Sequence, residues 1–293
     1  MEKPAPPPAL PLSRAVAPRL EWMSQAGSTN DVLVMAATGP SAADWPDLAV
    51  IATDNQVHGR GRLGRVWTAP PGRTLAVSVL LRPRGASGDP VPLERYGMLP
   101  LLAGVAMARV VGGLVETARI HSAHRLAKVG VSLKWPNDVL IGERKVCGIL
   151  GEMLPGGQGL VIGAGVNLTL SAEELPTPTS TSLLVAGVEH PSPDAVLAGY
   201  LRDLGTLYER WCAADGDGVA SGLLDEVARV TGTLGRAVRV ELPGGEFRTG
   251  VARGVDETGR LIVDDSDGGA PLVVSAGDVT HLRHDDQGNG ETR

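Results

Sequence analysis

The sequence predicts an α/β protein with a small β-barrel appended at its C-terminal end. Three observations carry that prediction. Short apolar runs bounded by turn residues are interspersed with longer helical stretches as far as residue 230. Beyond it only short β-like runs remain, at 237–242, 247–255, 261–264 and 271–275, separated by turns such as Pro243-Gly244-Gly245. The 293 residues are 43% hydrophobic and 20% charged, enough apolar material to bury a core and too much for a disordered chain.

Each element has its own signal. Residues 4–18 hold six prolines and read as an extended tail. Ser28-Thr29-Asn30-Asp31 precedes the apolar run 32–35, a helix-capping pattern. Residues 48–53 and 75–81 read as buried strands, and the polar stretch 55–73 between them, rich in Gly and Arg, has no period. Residues 96–118 form a long helix in which Pro100 is tolerated near the first turn. Arg109, Glu116 and several glycines in its apolar part point to a core helix rather than a membrane span. Short strands follow at 131–135, 139–141, 146–153 and 160–168, then helices at 194–213 and 222–230. The chain divides into a Pro-rich flexible tail (1–20), a large domain (21–230), a small β domain (231–284) and a flexible end (285–293).

Composition excludes several functions. Lys+Arg 27 against Asp+Glu 33 gives −6, the wrong sign for a general nucleic-acid binder. Cys147 and Cys212 are too few for a disulfide framework or a Cys-rich zinc site. The six histidines show no metal spacing, and the pair His121 and His124 reads as solvated loop. No signal peptide is visible, which favours a cytoplasmic protein.

Four segments carry chemistry. Only four lysines stand against 23 arginines, yet Lys128, Lys134 and Lys145 fall within 18 residues, and Arg does not replace a compact ammonium well. Gly59-Arg60-Gly61-Arg62-Leu63-Gly64-Arg65-Val66-Trp67 lets the backbone approach an anion while guanidinium forks reach it, or is a solvated or RNA-binding loop. Lys134-Trp135-Pro136-Asn137-Asp138 projects polar groups at a strand end; Asp138 could hold a divalent metal, or the segment is a polar turn. In Arg144-Lys145-Val146-Cys147-Gly148-Ile149-Leu150, Lys145 opens a strand whose glycine permits close approach of a ligand or another backbone. Gly163-Ala164-Gly165-Val166-Asn167 lacks the spacing of a dinucleotide fingerprint and suggests a strand end facing a site, or tight strand packing.

Taken in order, with Ser28-Thr29-Asn30 and Gln56 ahead of them, these segments resemble the biotin protein ligases over roughly residues 22–283. The sequence departs at Leu63, where relatives often carry a polar or basic residue. The resemblance implies an α/β catalytic domain with a mixed sheet, like that of class II aminoacyl-tRNA synthetases, and an SH3-like C-terminal barrel. It implies activation of biotin by ATP with Mg²⁺ to biotinyl-5′-adenylate, then transfer to a lysine of a biotin carboxyl carrier domain. By resemblance, Ser28, Thr29, Asn30, Gln56, Arg60, Gly61, Arg62 and Lys145 serve biotin, with Arg62 and Lys145 also catalytic. Arg65, Trp67, Lys134, Asn137, Asp138 and Asn167 serve ATP, with Asp138 toward Mg²⁺. Only a short tail precedes Glu21-Trp22, so no DNA-binding domain and no DNA partner is expected; monomer and homodimer both stay open. A lipoate or octanoate ligase of the same fold is the nearest alternative, and an RNA-binding module the alternative of another class.

Overall fold

In the computed structural model, which describes residues 8–67, 70–122, 128–241, 246–266, 268–275 and 278–281, seven strands form one mixed sheet. Its order is β1 (Leu20–Trp22), β2 (Val50–Thr53), β5 (Thr74–Leu81), β9 (Leu160–Asn167), β8 (Arg144–Met153), β7 (Asp138–Ile141) and β6 (Val131–Lys134). Every neighbouring pair is antiparallel except β1 and β2, which run parallel. Within the loop between β2 and β5, β3 (Gly59–Arg60) and β4 (Val66–Trp67) make a separate hairpin.

Alternation along the strands decides what each face of the sheet carries. Leu75, Val77, Val79 and Leu81 of β5, with Leu160, Ile162, Ala164 and Val166 of β9, pack in the main core with α3 (Met98–His121) and α4 (Pro193–Ala213). Each fully buried Leu, Val or Ile contributes about 1.5–3 kcal/mol. The intervening residues face the opposite side. Leu80 and Val161 pack there with Leu33 and Ala37 of α2 (Thr29–Thr38), whereas Ala76, Gly163, Gly165 and Asn167 line a cavity. The sheet therefore has one greasy face and one mixed face that carries the site.

Helix α3 is long and apolar enough to cross a membrane, but two thirds of its most apolar window is buried inside the protein. Helix α2 starts at Ser28, whose Oγ accepts from the Asp31 N–H. After α5 (Leu223–Val230), a second antiparallel sheet follows in the order β13 (Leu272–Val274), β12 (Leu261–Asp265), β11 (Phe247–Val255), β10 (Ala237–Glu241) and β14 (Asp278–His281). Its buried Val238, Val240, Ala252, Leu261 and Val263 are continuous with the main core.

The N-terminal segment and the short strands β1, β3, β4 and β14 differ from the sequence expectation. Residues 8–20 are not a flexible tail. Pro11 opens α1 (Pro11–Arg14), where a missing N–H leaves no bond unmade, and Leu10 is buried. The Ser13 hydroxyl (2.6 Å), the Ser13 N–H (2.8 Å) and the Leu12 N–H (3.0 Å) all donate to the Asp194 carboxylate, which lies in the first turn of α4. Strands β1 and β14 were also not expected; both are too short to show a period of their own. Residues 1–7, His124 and the end segment 285–293 lie outside the described residues.

Candidate active site

The fourteen residues singled out from the sequence converge. Ser28, Thr29, Asn30, Gln56, Arg60, Gly61, Arg62, Arg65, Trp67, Lys134, Asn137, Asp138, Lys145 and Asn167 all line one cavity of about 1410 Å³ on the mixed face of the sheet.

One end is neutral and rich in hydrogen-bonding groups. The Thr29 N–H (2.8 Å) and hydroxyl (3.1 Å) both donate to Gln56 Oε1. That fixes the amide orientation and leaves the Gln56 NH₂ group to donate elsewhere. The Ser78 hydroxyl stands 2.8 Å from Thr29 Oγ1 and 2.6 Å from Asn30 Oδ1, while Asn30 Nδ2 donates to the Leu150 carbonyl (3.3 Å). Ser78 is fully buried, and the sequence reading missed it; its signal was a hydroxyl in the middle of the apolar strand β5. Gly163 is required here, because a Cβ would stand 2.3 Å from Asn30 Oδ1.

The other end is cationic. Six cations line the cavity (Arg60, Arg62, Arg65, Lys134, Lys145, Arg236) against two carboxylates, Asp138 and Glu143, so a chain of net charge −6 concentrates positive charge in this cavity. Lys145 Nζ lies 2.6 Å from Asp138 Oδ1. That oxygen accepts no hydrogen bond of good geometry, so the contact is a charge pair. Lys145 reaches this face because of a β-bulge. Val139 pairs with Cys147 and Leu140 with Lys145, so Val146 is the extra residue. Both Val146 and Cys147 turn into the core, and Lys145 falls on the cavity side with Gly148. Without the bulge Lys145 would share the buried face of Cys147. Its backbone is held from outside the sheet, its N–H donating to Thr179 O (2.8 Å) and its carbonyl accepting from the Thr181 N–H (2.8 Å).

Asn137 and Asn167 are anchored by their amides. Asn137 Nδ2 donates to Ile149 O (2.7 Å) and its Oδ1 accepts from Arg62 (3.4 Å); Asn167 Nδ2 donates to Thr181 O (2.9 Å). The Trp67 ring lies over Gly165, where a Cβ would stand 2.9 Å from two ring atoms. Arg60 differs from the expectation in its direction. Its guanidinium pairs with Asp31 and with Glu152 (2.8 and 3.0 Å), so two carboxylates already neutralise it.

The sequence reading also missed a wall supplied by the small β domain. Arg236 and His281 line the cavity, and Arg236 donates twice to Glu143 (2.9 and 3.0 Å). Burial, together with the charges of Lys134 and Arg236, pushes the His281 imidazole down to about 4, so it is neutral at pH 7. Burial pushes the Cys147 thiol up to about 12, which removes it as a nucleophile.

The described residues contain no group of three metal-ligating side chains, and Asp138 is engaged with Lys145. This donor set does not fit a magnesium ion held by the protein. An ion carried on nucleotide phosphates needs no such set.

Residues 23–167 match the biotin/lipoate A/B protein ligase family, and residues 233–282 match the biotin protein ligase C-terminal domain. The chain is 40% identical to a biotin--[acetyl-CoA-carboxylase] ligase of Mycobacterium tuberculosis over 90% of both chains. It is 31% identical to the bifunctional ligase/repressor BirA of Bacillus subtilis over 76% of its own length and 63% of the relative's. The fold matches the biotin protein ligase of Aquifex aeolicus, solved with biotin and ATP (TM-score 0.68, 23% identity, 90% of this chain and 100% of that one). It also matches the Leishmania major biotin protein ligase solved with biotinyl-5-AMP (TM-score 0.56, 26% identity, 88% and 99% covered).

Proposed function

The chain belongs to the biotin/lipoate A/B protein ligase family, and on that footing we propose how its cavity activates biotin with ATP and transfers it to a protein lysine. The observation that carries the reading is the polarity of the cavity, with fixed neutral donors and acceptors at one end and cations at the other. Biotinyl-5′-adenylate has the same polarity, a neutral ureido ring at one end and an anionic phosphate beyond the acyl group.

In the first step the biotin carboxylate attacks the α-phosphorus of ATP, a C–O–P bond forms, and pyrophosphate leaves. Two anions meet, so the cations lower the barrier by standing where the charge accumulates. Lys145 and Arg62 take that role. Ser28, Thr29, Asn30 and Gln56 hold the ring, with the Gln56 NH₂ donating to it. Arg65, Trp67, Lys134, Asn137, Asp138 and Asn167 form the nucleotide side, with magnesium arriving on the phosphates. In the second step a carrier lysine amine attacks the acyl carbon, the amide forms and AMP leaves.

The acceptor is a biotin carboxyl carrier domain, in keeping with the carboxylase that the mycobacterial relative is named for. The division at residue 230, the SH3-like character of the small domain and a cytoplasmic setting complete the proposal.

The test is transfer of labelled biotin to a carrier domain, with ATP and Mg²⁺ present and then omitted. Labelling should require both, and lipoate should not compete. ATP-independent labelling, or equal transfer of lipoate, would overturn the reading.

A further inference from the structure

Strand β6, which ends in Lys134, is the last strand of the seven-stranded sheet, and β7 bonds only its inner side. An edge strand with nothing on its outer side is among the first elements to open. Here residues 231–233, the entry into the small β domain, cover it. Leu133 and Thr231 form a parallel bridge, and the Gly232 N–H donates to the Leu133 carbonyl (2.9 Å).

The next residue is tied by side chains. The Trp135 N–H donates to Thr233 Oγ1 (3.0 Å), and Thr233 Oγ1 lies 3.0 Å from His281 Nε2. An N–H can only donate, so the Thr233 oxygen accepts from Trp135 and uses its remaining hydrogen-bonding capacity on the His281 ring. The Trp135 indole completes the tie. It is 2% exposed, and its Nε1 donates to the Gly259 carbonyl (3.0 Å), a residue between β11 and β12. Thr233 is fully buried and its hydroxyl does not line the cavity.

We propose that Thr233, with His281 against its hydroxyl, is a positioning residue for the reaction: it holds the backbone of the turn that carries Lys134, Asn137 and Asp138 at the nucleotide side. The small domain thereby acts on the nucleotide without Thr233 touching it, and the biotin end, built on α2 and β5, is not coupled to this tie. This rests on the reading of Lys134, Asn137 and Asp138 as the ATP side.

The experiment uses the full chain and measures pyrophosphate release against ATP concentration, biotin affinity by calorimetry, and thermal stability. Thr233→Val keeps the side-chain shape and removes the hydroxyl. It should lower kcat/KM for ATP about tenfold, because a small misplacement of a reacting group is costly, and leave the biotin Kd unchanged. Thr233→Ser should restore wild-type values. An unchanged kcat/KM for ATP in Thr233→Val overturns the tie, as does an equal loss of ATP use and biotin affinity, or a failure of Ser to rescue. Asn137→Ala is measured alongside. If it lowers kcat/KM for ATP while Thr233→Val does not, the tie alone fails; if Asn137→Ala is itself silent, the ATP reading fails and the tie with it. Should Thr233→Val not fold, Thr233→Ala removes the same hydroxyl and is judged by the same outcomes, Ser rescue included.

Discussion

Lys145→Ala removes one ammonium from the cationic end and leaves Asp138 without its partner 2.6 Å away. The local charge of the pair goes from zero to −1 where two further anions must meet. A unit charge about 4 Å from another contributes about 4 kcal/mol at an effective dielectric near 20. That corresponds to roughly 10³ in rate, within the range of about 10²–10³ for loss of one transition-state donor. The fold should survive. The Lys145 side chain is 40% exposed, and pairs of that kind contribute at most about 1 kcal/mol to stability. The assay is pyrophosphate release from biotin and ATP, with biotin affinity and thermal midpoint beside it. Adenylate formation should fall about 10²–10³-fold while the midpoint moves little. Adding Asp138→Asn should recover part of the loss, since it removes the stranded negative charge. Release at the wild-type rate from folded Lys145→Ala would refute the charge argument, and a double variant as slow as the single one would refute the role given to Asp138.

Three further outcomes are expected. Gly165→Val places a side chain where even a Cβ stands 2.9 Å from the Trp67 ring, so the indole must move; the Kd for ATP should rise about tenfold with biotin affinity kept, as read by calorimetry for each ligand. Arg62→Gly removes a guanidinium that reaches Asn137 across the cavity, so biotinyl-adenylate should escape faster than its formation slows; adenylate dissociation and labelling of a non-carrier protein measure this, and unchanged retention would count against a sealing role. Burial raises the Asp194 carboxyl, but the Ser13 hydroxyl and the Ser13 and Leu12 N–H groups outweigh it and hold it below the usual carboxylate value. Its folded pKa is depressed, so this contribution to stability is complete above an ordinary aspartate pKa of about 3.9 and is lost as pH falls through the folded value. Thermal midpoints against pH should show that acid loss in the wild type and a smaller one in Asp194→Asn.

Much of this molecule follows from local pattern. The short apolar runs at 75–81 and 160–168, bounded by turn residues, are enough to mark two buried strands, because a strand covered on both faces needs no polar side. Ser28 marks the start of α2 because the first N–H groups of a helix need an acceptor. The Gly–Arg loop, the Lys134–Asp138 turn and Asn167 are legible as site residues because their polar types interrupt apolar runs. Other features depend on partners far away in the chain. The prolines at 8, 11 and 18 suggest an extended tail, yet the segment packs because Asp194, 181 residues beyond Ser13, accepts its hydrogen bonds. Lys145 faces the cavity only because Val146 is bulged against β7, and the register of two strands is not written in either one. Arg236 and His281 reach the cavity, with Thr233 packed behind them, because β6 is an edge strand that residues 231–233 close. Local sequence determines which way a side chain points along its own element. Which elements meet, and therefore which of those side chains share a cavity, is decided by burial and hydrogen bonding summed over the whole chain.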